Sequence, residues 1–283
     1  MAGTQLYHDY LQPFRIQKRL TLNQCFKTVQ ADAGTFDALT YVTFGGLDLY
    51  DAMDLVAVFD IRKHKINIVS YEQDRRIAAD SRVRPVAATL SRIATVSIEI
   101  VPTEFFENST PLHQLRENTR FVYFLDYTGT FGNRQIDSLS ELFSDGLLRD
   151  QDYLMITSCI SPRIVRQARF MLPYEDTFKL FYGASIVVDQ EFKIRNHVDL
   201  LVGIALSRFE RETLTTGSQP PLYAKLLRKF RYQDTRTPMG LWLYRFERSL
   251  IRSAKLEDGS FEEFPQAFAK KEGKEEEIPN IFE

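Results

Sequence analysis

Short runs of apolar residues recur along the first 160 positions of the chain, and each is too short to form a helix. Continuous apolar runs of this length are typical of strands that are buried on both faces, as in a parallel sheet covered by helices. The pattern therefore predicts five parallel strands. They are Leu39–Phe44, Ile66–Tyr71, Val96–Val101, Phe121–Leu125 and Tyr153–Ser158.

The segments between these runs are long enough for crossover helices. Leu49–Phe59 and Ile136–Leu148 carry apolar residues at helical spacing, and Leu112–Arg116 predicts a shorter helix. Arg75–Leu90 also predicts a helix, which Pro85 must break or kink because proline removes a backbone donor. Strands that alternate with helices and are joined by right-handed crossovers predict a doubly wound sheet.

The pattern changes after Ser158. Ser161–Thr215 reads as a mostly helical insertion, and the arms Leu227–Asp234 and Gly240–Arg248 predict an antiparallel hairpin that completes the sheet. The acidic stretch from about Glu257 predicts a peripheral helix or a tail.

The predicted fold is α/β: a doubly wound, mostly parallel, seven-stranded sheet with helices on both faces, a helical insertion and a C-terminal antiparallel hairpin. We divide the chain into an N-terminal helical segment (1–38), a Rossmann-like core (39–158), the insertion (159–222), the hairpin (223–255) and the acidic tail (256–283).

Composition indicates the environment of the protein more than its function. The formal net charge is -2, so no global field favours nucleic acid or an anionic membrane. No apolar run approaches the roughly 20 residues of a membrane span, and the N-terminus lacks the apolar region of a secretory signal. Cys25 and Cys159 are far apart and predict free buried thiols in a reducing cytoplasm. The four histidines do not cluster, so no metal site is expected.

Candidate functional residues follow the predicted strands. In an open doubly wound sheet, ligands bind beyond the C-terminal ends of the parallel strands, so these residues mark the expected site. They are Phe44, Gly45, Gly46 and Asp48 after the first strand, Glu72 and Gln73 after the second, Glu104 after the third, and Asp126 and Tyr127 after the fourth.

Glu72 and Asp126 have the side chains best suited to bind a ligand or to take part in a reaction. Glu72 can chelate vicinal hydroxyls with its two acceptor oxygens, unless it is simply a solvated strand end or Asp74 takes that role. Asp126 can accept a proton or orient an amine or hydroxyl, unless it caps the next helix. Tyr127 adds a ring that can stack on a planar acceptor or on a sulfonium.

This layout resembles class I S-adenosylmethionine-dependent methyltransferases, whose sheet is parallel apart from its last strand. The resemblance covers about residues 39–250, with a fainter one to the methyltransferase-like three-Cys-motif partner proteins. It implies a glycine-rich cofactor loop at Gly45-Gly46, ribose binding by Glu72, adenine contact near Glu104, and Asp126 between methyl donor and acceptor. It further implies transfer of a methyl group to an O or N atom of an unidentified acceptor.

The chain also departs from that family pattern. Thr43 stands where the family usually has an acid, and Leu47-Asp48-Leu49 occupies the region of the third glycine. These departures favour an alternative, in which the chain is a catalytically inactive scaffold with a protein partner. Gly45-Gly46 can also be a tight turn without a ligand. A nicotinamide dinucleotide enzyme is least favoured, because the glycine spacing that cradles a pyrophosphate is missing.

The predicted hairpin is rich in basic and aromatic residues. Such side chains can neutralise phosphates and stack on bases, so contact with nucleic acid is conceivable. The favoured interpretation is that one set of the basic residues is simply the solvated face of the hairpin, because strand residues alternate between faces. The basic residues of this region include Lys225, Arg228, Lys229, Arg231 and Arg245, interleaved with Phe230, Tyr232, Trp242 and Tyr244.

Overall fold

The computed structural model describes most of the sheet and the helices that cover it. The described residues are 16–32, 37–44, 49–59, 64–72, 83–103, 108–116, 119–127, 133–161, 179, 187–213, 222–234, 237–248 and 262–263. Of the residues singled out above, Gly45, Gly46, Leu47, Asp48, Gln73, Asp74 and Glu104 lie outside these ranges. Residues 162–178, 180–186, 214 and 215 of the predicted helical insertion also lie outside them.

One mixed sheet organises the described chain, in the order β3-β2-β1-β4-β5-β7-β6-β8. Strands β1 to β5 run parallel, β7 is antiparallel to both β5 and β6, and the two-residue β8 pairs parallel with β6. The strands are β1 (Ala38–Thr43), β2 (Lys65–Tyr71), β3 (Val96–Val101), β4 (Arg120–Asp126), β5 (Tyr153–Cys159), β6 (Leu222–Tyr232), β7 (Met239–Arg248) and β8 (Glu262–Glu263).

Helices cover both faces of this sheet. They are α1 (Ile16–Asp32), α2 (Tyr50–Val58), α3 (Val83–Ser91), α4 (Thr110–Leu115), α5 (Asn133–Ser144) and α6 (Gln190–Thr213). Pro85 is the third residue of α3, a first-turn position where its missing N–H breaks no intrahelical hydrogen bond.

Two apolar layers hold these helices on the sheet. On one face, α1, α2 and α3 pack against side chains such as Tyr41 and Phe124. On the other face, α4, α5 and α6 pack against side chains such as Tyr123 and Trp242. Because successive strand residues point to opposite faces, burial on both sides requires the continuous apolar runs seen in the sequence.

The structure confirms the predicted fold class and the five parallel strands, each within one residue of its predicted bounds at either end. The predicted antiparallel hairpin is also confirmed, and in its second arm Leu241 and Leu243 join one apolar layer and Trp242, Tyr244 and Phe246 the other. Both cysteines are buried thiols that form no disulfide, as predicted. None of the described helices combines the length and the apolar character needed to span a membrane.

Two details differ from the prediction. The first hairpin arm starts at Leu222, five residues earlier than predicted, because its N-terminal half pairs with β7 past a bulge between Leu226 and Arg228. In the acidic tail, Glu262 and Glu263 form an edge strand on β6, where their backbone pairs with Phe230 and Arg231.

Candidate functional site

The C-terminal ends of β2, β1 and β4 meet at one edge of the sheet. Thr43 of β1 is level with Ser70 of β2 and with Phe124 of β4. Phe44, Glu72 and Asp126 therefore follow at nearly the same height on three adjacent strands. The strand order reverses between β1 and β4, which makes this edge the topological switch point where doubly wound sheets bind ligands.

Aromatic contact joins the ends of β1 and β4. The rings of Phe44 and Tyr127 lie 6.0 Å apart between centroids, tilted by 58°. On the neighbouring strand, the half-buried Glu72 is anchored through its backbone N–H, which donates to the carbonyl of Val101 at 3.0 Å. The structure thus brings four predicted residues, Phe44, Glu72, Asp126 and Tyr127, to one edge.

Asp126 is held by two partners that come from different elements. The hydroxyl of Thr157, on β5, donates to its Oδ1 at 2.7 Å. The ammonium of Lys18, on α1, forms an ion pair with its Oδ2. Both side chains are largely buried, with 10% exposure for Lys18 and 15% for Asp126. The Lys18 Nζ also lies 5.5 Å from the centre of the Phe124 ring.

A second carboxylate, Asp51, lies next to this pair. It belongs to the first turn of α2 and accepts hydrogen bonds from the hydroxyls of Tyr41 at 2.8 Å and Thr43 at 2.5 Å. Burial raises the pKa of Asp51, against these two hydrogen bonds and the nearby charge of Lys18, which all lower it. Thr43, at the end of β1, therefore donates to a carboxylate that lies eight residues later in the sequence.

Helix α1 is fixed so that Lys18 reaches this edge. The carboxylate of Asp234, between β6 and β7, accepts the backbone N–H groups of Gln17 at 2.8 Å and Lys18 at 2.7 Å. Next to Lys18, the guanidinium of Arg19 donates two hydrogen bonds to Asp54 of α2, at 2.6 and 2.9 Å. Both contacts hold α1 against the sheet.

Lys18, Asp51 and Thr157 belong to the site but are not among the residues predicted from the sequence. Thr157 lies inside a predicted strand, and Lys18 follows an N-terminal segment whose helical pattern is loose. The sequence offered only indirect evidence for them. The end of β5 is adjacent to β4 in a doubly wound sheet, which places Thr157 beside Asp126. Asp51 lies in the first turn of α2, the helix that follows the glycine pair.

A second polar cluster is buried between α6 and the hairpin. The Lys229 ammonium lies 3.1 Å from the carboxylate of Asp199 and 3.2 Å from the amide oxygen of Asn196, and the Tyr244 hydroxyl donates to Asp199 at 2.5 Å. Lys229 therefore does not belong to the solvated set of basic residues on the hairpin. Helix α6 covers that side of β6 and supplies the compensating charge. Trp242 and Tyr244 are also buried, so neither ring is presented for stacking on a base.

His197 belongs to the same region and is held in one tautomer. Its Nδ1 donates to the carbonyl of Ile194 at 2.9 Å, which leaves Nε2 to accept from the hydroxyl of Ser158 at 3.1 Å. Complete burial lowers the pKa of His197 to about 4. Ser158 adjoins Thr157 on β5, but successive strand residues point to opposite faces, so this pair lies apart from Asp126.

Comparisons with known proteins bear on the fold. No known family and no curated protein matches the sequence. Among solved structures, SCL7 from Oryza sativa is 12% identical, with a TM-score of 0.49 over 86% of this chain and 82% of that one. The SAH-bound methyltransferase PaMTH1 from Podospora anserina is 14% identical, with a TM-score of 0.40 over 86% and 87%.

The O-methyltransferase TomG from Streptomyces achromogenes, solved in complex with SAM, is 13% identical, with a TM-score of 0.39 over 82% of this chain and 79% of that one. The fold assignment rests on the strand order of this chain. Five parallel strands are followed by an antiparallel hairpin, and this order defines a Rossmann-like α/β fold.

Proposed function

We propose that this chain is an S-adenosylmethionine-dependent methyltransferase that transfers a methyl group to an oxygen or nitrogen atom of its acceptor. The observation that supports this most is the set of side chains at the switch point. At the C-terminal ends of three adjacent strands lie a carboxylate that can bind a ribose (Glu72, after β2), an aromatic pair (Phe44 after β1 and Tyr127 after β4) and a second carboxylate (Asp126, which ends β4).

Glu72, Phe44 and Tyr127 are each suited to bind a different part of S-adenosylmethionine. Glu72 offers two oxygens to the vicinal hydroxyls of the ribose, which are matched donors. Phe44 and Tyr127 present aromatic surface beside it, and a ring face attracts a cation such as a sulfonium. Gly45, Gly46, Asp48, Gln73 and Glu104 are assigned to the same site by the resemblance alone.

The chemistry requires mainly positioning. When bound, S-adenosylmethionine would supply an electrophilic methyl group, with its neutral thioether as the leaving group. Asp126, held from two sides by Lys18 and Thr157, orients the acceptor and takes up its proton. A fixed carboxylate keeps the reacting atoms aligned, and alignment lowers the barrier.

The second candidate function is a methyltransferase-like scaffold that binds a protein partner and no cofactor. The ion pair with Lys18 favours it, because an oxygen of Asp126 that is engaged inside the protein is less available to a ligand. The replacement of the family's acid by Thr43 favours it too. Co-purification of a stoichiometric protein partner without a bound nucleoside would support the scaffold.

Isothermal titration calorimetry with S-adenosylmethionine and S-adenosylhomocysteine separates the two candidates. We expect saturable binding by the wild-type chain and a loss of roughly ten- to a hundredfold in affinity in Glu72→Ala, since hydrogen bonds to a charged group are broken. Glu99→Ala is the matched control, because Glu99 is an exposed glutamate on β3. Absence of binding by the wild-type chain would refute the methyltransferase.

A further inference from the structure

Lys18 occupies the switch point of the sheet. This residue comes from α1, outside the βα units, yet its ammonium is paired with Asp126 at the end of β4. The strand order reverses between β4 and β1, so a ligand in the crevice there lies beside this ammonium. A charged ligand at this position therefore interacts electrostatically with Lys18 and with the groups that surround it.

Two carboxylates share the field of this one ammonium. Asp126 is in direct contact with Lys18. Asp51, which accepts hydrogen bonds from Tyr41 and Thr43 of β1, is close enough for the charge of Lys18 to favour its ionised form. With both carboxylates ionised, the three groups sum to one negative charge. Without Lys18 they would sum to two.

Burial strengthens the effect that the net charge of these three groups has on a bound ligand. The Lys18 and Asp126 side chains are largely shielded from water, and charges interact more strongly there than at an exposed surface. The ion pair is also held on both sides, because Asp234 accepts a hydrogen bond from the backbone N–H of Lys18 and Thr157 donates one to the other oxygen of Asp126. The ammonium therefore remains at the switch point and contributes a fixed positive charge.

We propose that Lys18 determines how the site discriminates between the cationic methyl donor and its neutral product. This inference rests on the proposed function. S-adenosylmethionine carries a sulfonium, whereas S-adenosylhomocysteine carries a neutral thioether, so the two ligands differ by one methyl group and one positive charge. A fixed ammonium repels the sulfonium and leaves the thioether nearly unaffected, which lowers the preference for the donor.

The test compares the affinity ratio of S-adenosylmethionine to S-adenosylhomocysteine by calorimetry. We expect Lys18→Met, which keeps the chain length but not the charge, to raise this ratio about tenfold. Lys18→Arg keeps the charge and should change it less than twofold. Arg19→Met is the matched control, because it removes a positive charge and an ion pair one residue further along the same helix.

A second variant keeps the inference testable if Lys18→Met does not fold. Asp126→Asn removes one negative charge at the same place, so the affinity ratio should fall, in the direction opposite to Lys18→Met. A purely structural role for the ion pair would weaken both ligands equally and leave the ratio unchanged.

The outcomes distinguish the two proposals. If the wild-type chain binds both ligands and the ratio is unchanged in Lys18→Met and Asp126→Asn, the role of Lys18 is refuted while the cofactor site stands. An equal shift in Arg19→Met would also refute it, because the effect would then belong to the whole helix. If the wild-type chain binds neither ligand, the proposed function and this inference are both refuted.

Discussion

The carboxylate of Asp234 accepts a hydrogen bond from the backbone N–H of Lys18 at 2.7 Å, across 216 positions of sequence. The first backbone N–H groups of a helix lack partners within the helix, and here the turn of the C-terminal hairpin supplies one. This contact connects the hairpin to the switch point, because Lys18 is the residue that pairs with Asp126.

Replacing Asp234 should loosen α1. We expect Asp234→Ala to lower the free energy of unfolding by about 1–2 kcal/mol, the usual loss when a capping side chain is removed. Asp234→Asn retains an acceptor oxygen and should lose less. Urea denaturation measures both. Equal stabilities of the alanine variant and the wild-type chain would show that the cap contributes nothing.

Removing Lys229 should be more damaging, because it leaves Asp199 buried without its cation. We expect Lys229→Met to cost about 3–5 kcal/mol, as is typical when one partner of a buried ion pair is deleted. Lys225→Met is the control on the same strand. Its ammonium lies 3.7 Å from Glu247 and is well exposed, so its loss should cost under about 1 kcal/mol. Equal losses in the two variants would contradict this account.

Acid should destabilise the fold through His197. The unfolded chain takes up a proton at the usual pKa of 6.5, whereas burial lowers the folded pKa to about 4. The contribution is therefore fully present above pH 6.5 and is lost as the pH falls towards 4, by up to about 3 kcal/mol.

The pH dependence of unfolding in His197→Gln tests this. Its stability relative to the wild-type chain should rise as the pH falls from 7 to 4. His113→Gln is the control, because His113 is exposed on α4. If both variants changed the pH profile equally, the effect could not be assigned to the buried ring.

Gly240 should resist substitution because of its neighbour. A Cβ at this position would lie 2.5 Å from two ring atoms of Trp242. We expect Gly240→Ala to cost about 1–3 kcal/mol by overpacking. Because phenylalanine is smaller than tryptophan, adding Trp242→Phe should cost less in the alanine variant than in the wild-type chain. Additive losses in thermal or urea denaturation would contradict the clash.

The sheet could be predicted from sequence because its signal is local. Strands such as Tyr153–Cys159 are buried on both faces, so their apolar character shows in consecutive residues. The apolar runs also showed where each strand ends, and they therefore placed Glu72 and Asp126 at the C-terminal edge of the sheet. Their partners could not be predicted in the same way, because those contacts join distant segments.

Lys18 and Lys229 show the reason. Each is a lysine in a pattern that allows a solvated position, and each is buried only because a carboxylate on another element compensates its charge. For Lys229 that carboxylate is Asp199 on α6, and for Lys18 it is Asp126 on β4. A single sequence shows which residues are charged. It does not show which of them form ion pairs in the folded chain.

The most direct test of a cofactor site at the switch point is a crystal structure of the chain with S-adenosylhomocysteine. We predict that the ribose hydroxyls bind the Glu72 carboxylate and that the thioether lies near Asp126 and the Phe44–Tyr127 ring pair. Density for the ligand elsewhere on the molecule, or an unliganded switch point at saturating ligand, would contradict this account.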